Sequence, residues 1–184
     1  AVVSGFSRTC RTSVVSGFSR TSPTSEAAVV SALRRTRSCS KSCMTTRRPE
    51  RLRTFDYLGL HQYFLTFCTY EKRPLFLESD SVVAVRTQIQ RAANDQRFAV
   101  IAYCYMPDHV HMLDEGQADD PDCRQFVSRA KQYSGFHYKA AFDQRLWQRY
   151  GYERTLRSDE SSISVTRYIL ENPIRARLVK RIDE

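Results

Sequence analysis

The sequence predicts an α+β fold, an antiparallel sheet with helices packed on it, preceded by a disordered N-terminal arm. Three observations carry this. Aromatic or apolar runs of strand length occur at 63–70, 98–106 and 109–113. Between and after them lie segments whose apolar residues recur at steps of three and four, the signature of helices with one buried face. The texture also changes sharply near residue 54, which divides the 184 residues into a low-complexity segment, 1–53, and one domain, 54–184.

The first segment carries ten Arg and one Lys against only Glu26 and Glu50. Val2-Val3-Ser4-Gly5-Phe6-Ser7-Arg8-Thr9 recurs as Val14-Val15-Ser16-Gly17-Phe18-Ser19-Arg20-Thr21, a repeat with a period of twelve. A stretch dominated by Ser, Thr and Arg buries too little apolar surface to offset its ordering entropy, so a basic disordered arm is expected. An organellar transit peptide fits the same composition. The domain that follows holds 18 basic and 18 acidic residues, so the formal +9 of the chain belongs to the arm. A high isoelectric point is therefore no evidence that the domain binds nucleic acid. The six cysteines, at 10, 39, 43, 68, 104 and 123, show no disulfide framework. Cys68 and Cys104 fall in strand-like runs and read as small buried thiols, which favours a reducing intracellular compartment. No apolar run reaches the ~18 residues that a membrane span needs.

Along the domain, 63–70 reads as a first strand. Ser79-Asp80 can cap a helix carrying Val82, Val85, Ile89 and Ala92-Ala93 and ending near Asp95-Gln96. The run 98–106 reads as a central strand. Pro107-Asp108 is a turn, after which 109–113 returns as the second arm of a hairpin. Asp120-Pro121 reads as an N-cap with proline at the first helical position. The helix after it carries Phe126, Ala130, Tyr133, His137 and Ala140-Ala141 and reaches about Phe142. Residues 146–152 form an aromatic, basic strand or loop. A last helix opens at Ser158-Asp159-Glu160, holds Ile163, Tyr168 and Ile169, and stops at Asn172-Pro173, because a residue before proline is pushed out of the helical region.

The chemistry concentrates at His109-Val110-His111, which holds two of the four histidines. Side chains on a strand alternate faces, so both imidazoles share one surface while Val110 anchors the strand in the core. Neutral imidazole is a good ligand for a divalent metal, although packed histidines explain many such pairs. Tyr168 and Asn172 lie one helical turn apart on one face; Asn172 reads equally as a C-cap before Pro173. A metal pair on a strand with a tyrosine on a late helix suggests nucleophilic attack on a phosphodiester.

Taken in order, Tyr63-Phe64-Leu65-Thr66, Met106-Pro107-Asp108-His109-Val110-His111, Leu146-Trp147-Gln148-Arg149 and Tyr168-Ile169-Leu170-Glu171-Asn172-Pro173-Ile174-Arg175-Ala176 resemble the single-tyrosine HUH transposases. The likeness is greatest to the REP-associated tyrosine transposases and covers about residues 55–182. It implies a ferredoxin-like, RRM-like HUH nuclease core in a bacterial, cytoplasmic and nucleoid-associated protein. It further implies a magnesium or manganese ion held by His109 and His111, with Asn172 as a third ligand, and Tyr168 as the nucleophile. Single-stranded DNA hairpins would then be cleaved and rejoined through a 5′-phosphotyrosine, by a monomer or by a homodimer that exchanges its tyrosine helices. A hairpin-binding protein of the same fold without turnover is the alternative. Relaxases of the wider group commonly use a third histidine near the pair, and none is present here.

Basic residues Lys131, Lys139, Arg145, Arg149, Arg154 and Arg157 cluster in sequence around Tyr133, Tyr138, Trp147, Tyr150 and Tyr152, a combination that suits a single strand. From this set Lys131, Lys139, Arg149 and Trp147 are taken as DNA-binding, together with Arg175 and Arg177 just after the tyrosine helix. A solvated helix face with core aromatics accounts for the same pattern. Asp114-Glu115 follows the histidines where members of the family usually continue apolar, and is expected to put negative charge near the metal and damp activity. The chain stops at Glu184, where many members extend further.

Overall fold

The computed structural model describes residues 56–156 and 161–181. The N-terminal arm, its repeat and the expected helix start at Ser158-Asp159-Glu160 lie outside them. Four strands, β1 (Gln62–Cys68), β2 (Phe98–Met106), β3 (His109–Gly116) and β4 (Tyr152–Thr155), form one antiparallel sheet in the order β2-β3-β1-β4. With helices α1 (Ser79–Asp95) and α2 (Cys123–Phe142) this is a βαββαβ unit with the strand order of the ferredoxin-like fold. A third helix, α3 (Ser162–Leu170), and a single turn, α4 (Asn172–Arg175), follow it.

β1 is central and buried on both faces, so it reads as a near-continuous apolar run. Its alternation still sorts the core in two. Tyr63, Leu65 and Phe67 meet Val110, Met112 and Tyr105 under α1 and α2; Phe64, Leu113, Ala102, Cys104 and Met106 meet Val165 and Ile169 of α3. Each large apolar side chain buried this way contributes roughly 1.5–3 kcal/mol. The sheet is thus the middle layer between the α1–α2 pair and α3.

α1 follows its expected bounds and buries Val82, Val85, Ile89, Ala92 and Ala93. Its cap is Glu78, not Ser79-Asp80, and the Ser81 hydroxyl donates to the Glu78 carbonyl. α2 starts later than expected, because the side chain of Asp122 accepts from the Arg124 amide and leaves Pro121 outside the helix. Its buried stripe also runs through Phe126, Ala130, Ser134 and Tyr138, four residues at a time, instead of drifting to Tyr133 and His137. Ser134 is tolerated there because its hydroxyl accepts from Trp147 Nε1 at 2.8 Å.

The 107–108 hairpin is as expected, with Met106 opposite His109. β3, however, continues three residues past Leu113, since Asp114 and Glu115 still pair with Tyr63 and Gln62 of β1. Residues 146–151 form no strand beyond a single bridge between Trp147 and Thr69; the fourth strand is the short edge that follows. α3 ends at Leu170, and Pro173 opens a fresh turn in α4 where a plain stop was expected. Cys104 and Cys123 are buried free thiols, and burial pushes Cys104 up to about 12. No helix among the described residues is long and apolar enough to cross a membrane.

Candidate active site

Strand alternation delivers the two histidines to the α3 side of the sheet. Their Nε2 atoms approach to 3.1 Å, and each Nδ1 has a partner of its own. His109 Nδ1 lies 2.6 Å from Asp108 Oδ1, and His111 Nδ1 lies 2.8 Å from Thr66 Oγ1. A carboxylate can only accept, so His109 carries its proton on Nδ1 and its Nε2 presents a lone pair when the ring is neutral. Burial, and then the charge of His109, hold His111 well below the usual imidazole range, so it is neutral near pH 7. The hydrogen bond between His109 and Asp108 in turn holds the Asp108 carboxyl below its ordinary value.

This donor set fits a divalent cation. Two nitrogens, each about 2.1 Å from one ion and at right angles, would stand about 3.0 Å apart. Facing lone pairs at 3.1 Å would repel, so a cation or a proton on one Nε2 belongs between them. Thr66 serves either case, since its hydroxyl can donate to Nδ1 or accept from it. Partners on the second ring nitrogen are what orient metal-bound histidines. Thr66 and Asp108 were both visible in the sequence, but one read as a strand residue and the other as a turn. Only the pairing of Thr66 with His111 across β1 and β3 gives the first its role. Replacing Asp108 by Asn is expected to weaken Mn²⁺ binding by roughly 10–100-fold, read by calorimetry; an unchanged affinity would remove Asp108 from the site.

α3 packs on β2 and β3 of its own chain and brings Tyr168 over the pair. Its ring centre is 6.2 Å from that of His111 and 6.0 Å from that of Phe64, which itself stacks on His111 at 5.4 Å. The half-buried tyrosine and both histidines therefore meet within one chain. Arg175 lies with its guanidinium carbon 4.6 Å from the Tyr168 ring centre and pairs with Glu171 at 2.6 Å. Glu171, not Asn172, is the C-cap of α3; Asn172 opens α4, and its Nδ2 donates to the Tyr168 carbonyl at 2.8 Å, which fixes the side chain and uses its nitrogen, not its oxygen. Among the described residues no cluster of three or more His, Cys, Asp or Glu side chains could hold a metal.

The expected acidic intrusion is not there. Asp114 is odd in register to the histidines and points to the opposite face, into the core under α1 and α2, where it is fully buried. Glu115 shares the histidine face but lies four residues on from His111, about 13 Å along the strand, and accepts from Gln62 at 2.8 Å. Among the described residues both oxygens of Asp114 lack a hydrogen-bond partner, as does the buried Tyr63 hydroxyl on the residue opposite. Burial raises the Asp114 carboxyl well above its ordinary 3.8. Below that value it is neutral folded or unfolded; as pH rises the unfolded chain ionises first, so stability falls until the folded group also ionises. Asp114→Asn is expected to flatten this slope and to add about 1–3 kcal/mol at pH 7, measured by denaturant titration at pH 4 and pH 8. Equal slopes in both proteins would contradict it.

Of the other expected DNA contacts, Lys139 and Arg149 are exposed, Arg149 over the Tyr150 ring, and Arg177 is exposed just after α4. Lys131 is engaged locally: its ammonium donates to the carbonyls of Gln148 and Arg149. Trp147 is buried between Phe67 and Phe76 with its Nε1 bonded, so it offers no open face for stacking. Arg157 and the side chains of Tyr152 and Arg154 lie outside the described residues.

The ferredoxin-like sheet, with two histidines on one strand and a tyrosine on the helix packed over it, can now be set beside known families. Residues 58–172 match the family described as transposase IS200 like, and the chain belongs to that family. Among individual proteins it is similar to a Haemophilus influenzae protein named for the REP-associated tyrosine transposases. The two are 24% identical over 142 residues, 67% of this chain and 74% of that protein. The solved structure of the REP-associated tyrosine transposase bound to a REP hairpin shares the fold, with a TM-score of 0.61 at 21% identity over 73% of this chain and 78% of that one.

Proposed function

We propose that the protein nicks and rejoins single-stranded, hairpin-forming DNA through Tyr168. The observation that carries this reading is the placement of the Tyr168 ring over His111, beside two imidazole nitrogens 3.1 Å apart. A magnesium or manganese ion held by His109, His111 and the side-chain oxygen of Asn172 would supply positive charge to the scissile phosphate. The Tyr168 oxygen attacks phosphorus as its proton leaves; the P–O3′ bond breaks, and the departing 3′ oxygen takes up a proton. The product is a tyrosyl ester of the 5′ phosphate, which keeps phosphoester energy so that a 3′ hydroxyl can reverse the step and join strands. Arg175, whose guanidinium carbon lies 4.6 Å from the centre of the tyrosine ring, would supply a cation to the attached phosphate. Arg177, Arg149 and Lys139 are exposed cations available to the backbone of the strand.

The structural relative bound to a REP hairpin supports a hairpin as the partner. The test is incubation of the protein and Mn²⁺ with hairpin single strands labelled 3′ of the candidate cleavage site. A label that stays with the denatured protein is the expected result. Hairpin retention without any such adduct would replace the enzyme with a binding protein of the same fold.

A further inference from the structure

Lys131, Gly135 and Lys139 recur at steps of four along α2 and share one face of it. With Arg145 and Trp147 of the returning segment they line a cavity of about 440 Å³, a volume in the range of small-ligand pockets. No carboxylate lines it. Lys131 is the half-buried amine of this wall. Its nitrogen lies 2.6 Å from the carbonyl oxygen of Gln148 and 3.3 Å from that of Arg149. A neutral amine has two hydrogens and one lone pair, so the two carbonyls can take both hydrogens and leave the lone pair unused. An ammonium has a third hydrogen, and no acid in the cavity wall accepts it.

Around the amine stand Lys139 of the same helix, Arg145 of the returning segment and, from β1, the Phe67 ring. The ring centre is 5.6 Å away, near the outer limit for a cation–π contact. Burial, and then the charge of Arg145, hold the amine down at about 8. A lysine desolvated beside another cation is the activated form of this nucleophile. Lys139 and Arg145 meanwhile supply two charges that suit a phosphate. An amine next to such a pair matches one class of reagent, a mixed anhydride of a carboxylic acid and phosphoric acid. Its acyl carbon is electrophilic and its leaving group is phosphate.

We propose that Lys131 is a modification site, acylated by an acyl phosphate whose phosphate group lies between Lys139 and Arg145. The nitrogen attacks the acyl carbon and the N–C bond forms. The C–O bond to phosphate breaks, inorganic phosphate leaves with the electron pair, and the nitrogen gives a proton to solvent. The product amide has one hydrogen and no charge, so its nitrogen keeps at most one of the two carbonyls and the cavity loses one of its three cations. The reaction needs neither metal nor DNA, so it stands or falls apart from the nicking reading. The test is incubation of the full chain with acetyl phosphate over a range of pH, with peptide mass spectrometry to follow acetylation at each lysine. At about pH 7.5, Lys131 is expected to react at least about tenfold faster than the exposed Lys180. Its rate should level off above about pH 8, where an ordinary lysine is still mostly charged. Lys139→Gln, on an exposed side chain, should slow Lys131 by about fivefold with acetyl phosphate and leave its rate with acetic anhydride within about twofold. Lys131 reacting no faster than Lys180, or a rate still rising past about pH 9, overturns the proposal. So does a Lys139→Gln variant that slows both reagents alike or neither.

Discussion

Tyr168→Phe is expected to abolish the covalent protein–DNA adduct, a loss on the order of 10³-fold or more in cleavage, while hairpin binding stays within about twofold. The substitution removes one oxygen and little else. The ring still packs against Phe64 and His111, and Arg175 still lies against it, so the helix and its docking survive. With no hydroxyl in place the nucleophile is missing, while the packing of the ring is kept. A denaturing gel with labelled hairpin reads the adduct, and a retention assay reads binding. A Tyr168→Phe variant that still carries label after denaturation would mean another residue is the nucleophile, and the proposed reaction would be wrong. A variant that loses binding and adduct together would instead make Tyr168 a contact for the DNA.

His109→Ala is expected to weaken Mn²⁺ binding by more than about 100-fold, about 2.8 kcal/mol, and to remove adduct formation with it. One imidazole cannot make the two-nitrogen grip, and the Asp108 carboxylate then loses the ring it orients. His109 is only partly buried, so truncating it leaves no large void in the sheet, whereas the buried His111 packs against Phe64 and Tyr168. Electron paramagnetic resonance of Mn²⁺ measures the affinity without DNA or turnover. Wild-type affinity in the variant would leave the histidines as a hydrogen-bonded pair and send the search for a metal elsewhere.

Much of this site could be read without coordinates, because it follows from the period of a strand. Alternation alone puts His109 and His111 on one face with Val110 beneath, and four-residue spacing alone stacks Asn172 on Tyr168. The same rule, carried further along the strand, places Asp114 away from the histidines. Asp114 does not bring the expected negative charge beside the histidines, because the strand continues past Leu113. The extension to Gly116 depends on pairing with Gln62 and Tyr63, more than fifty residues away. Trp147 and Lys131 show the reverse limit. An aromatic next to basic residues reads as a DNA surface, but Ser134 on α2 takes the indole nitrogen, and two loop carbonyls take the ammonium.

Local period and local capping were enough to set the element order, the face shared by the two histidines and the presence of a tyrosine on a late helix. They could not show that Thr66 and Asp108 hold the outer nitrogens of the rings, or that Tyr168 lies over His111. Nor could they turn Asp114 into the far core or join Trp147 to the histidine end of β1. Those facts depend on strand register and helix docking. Both are fixed by contacts between residues distant in the chain, which no local pattern contains.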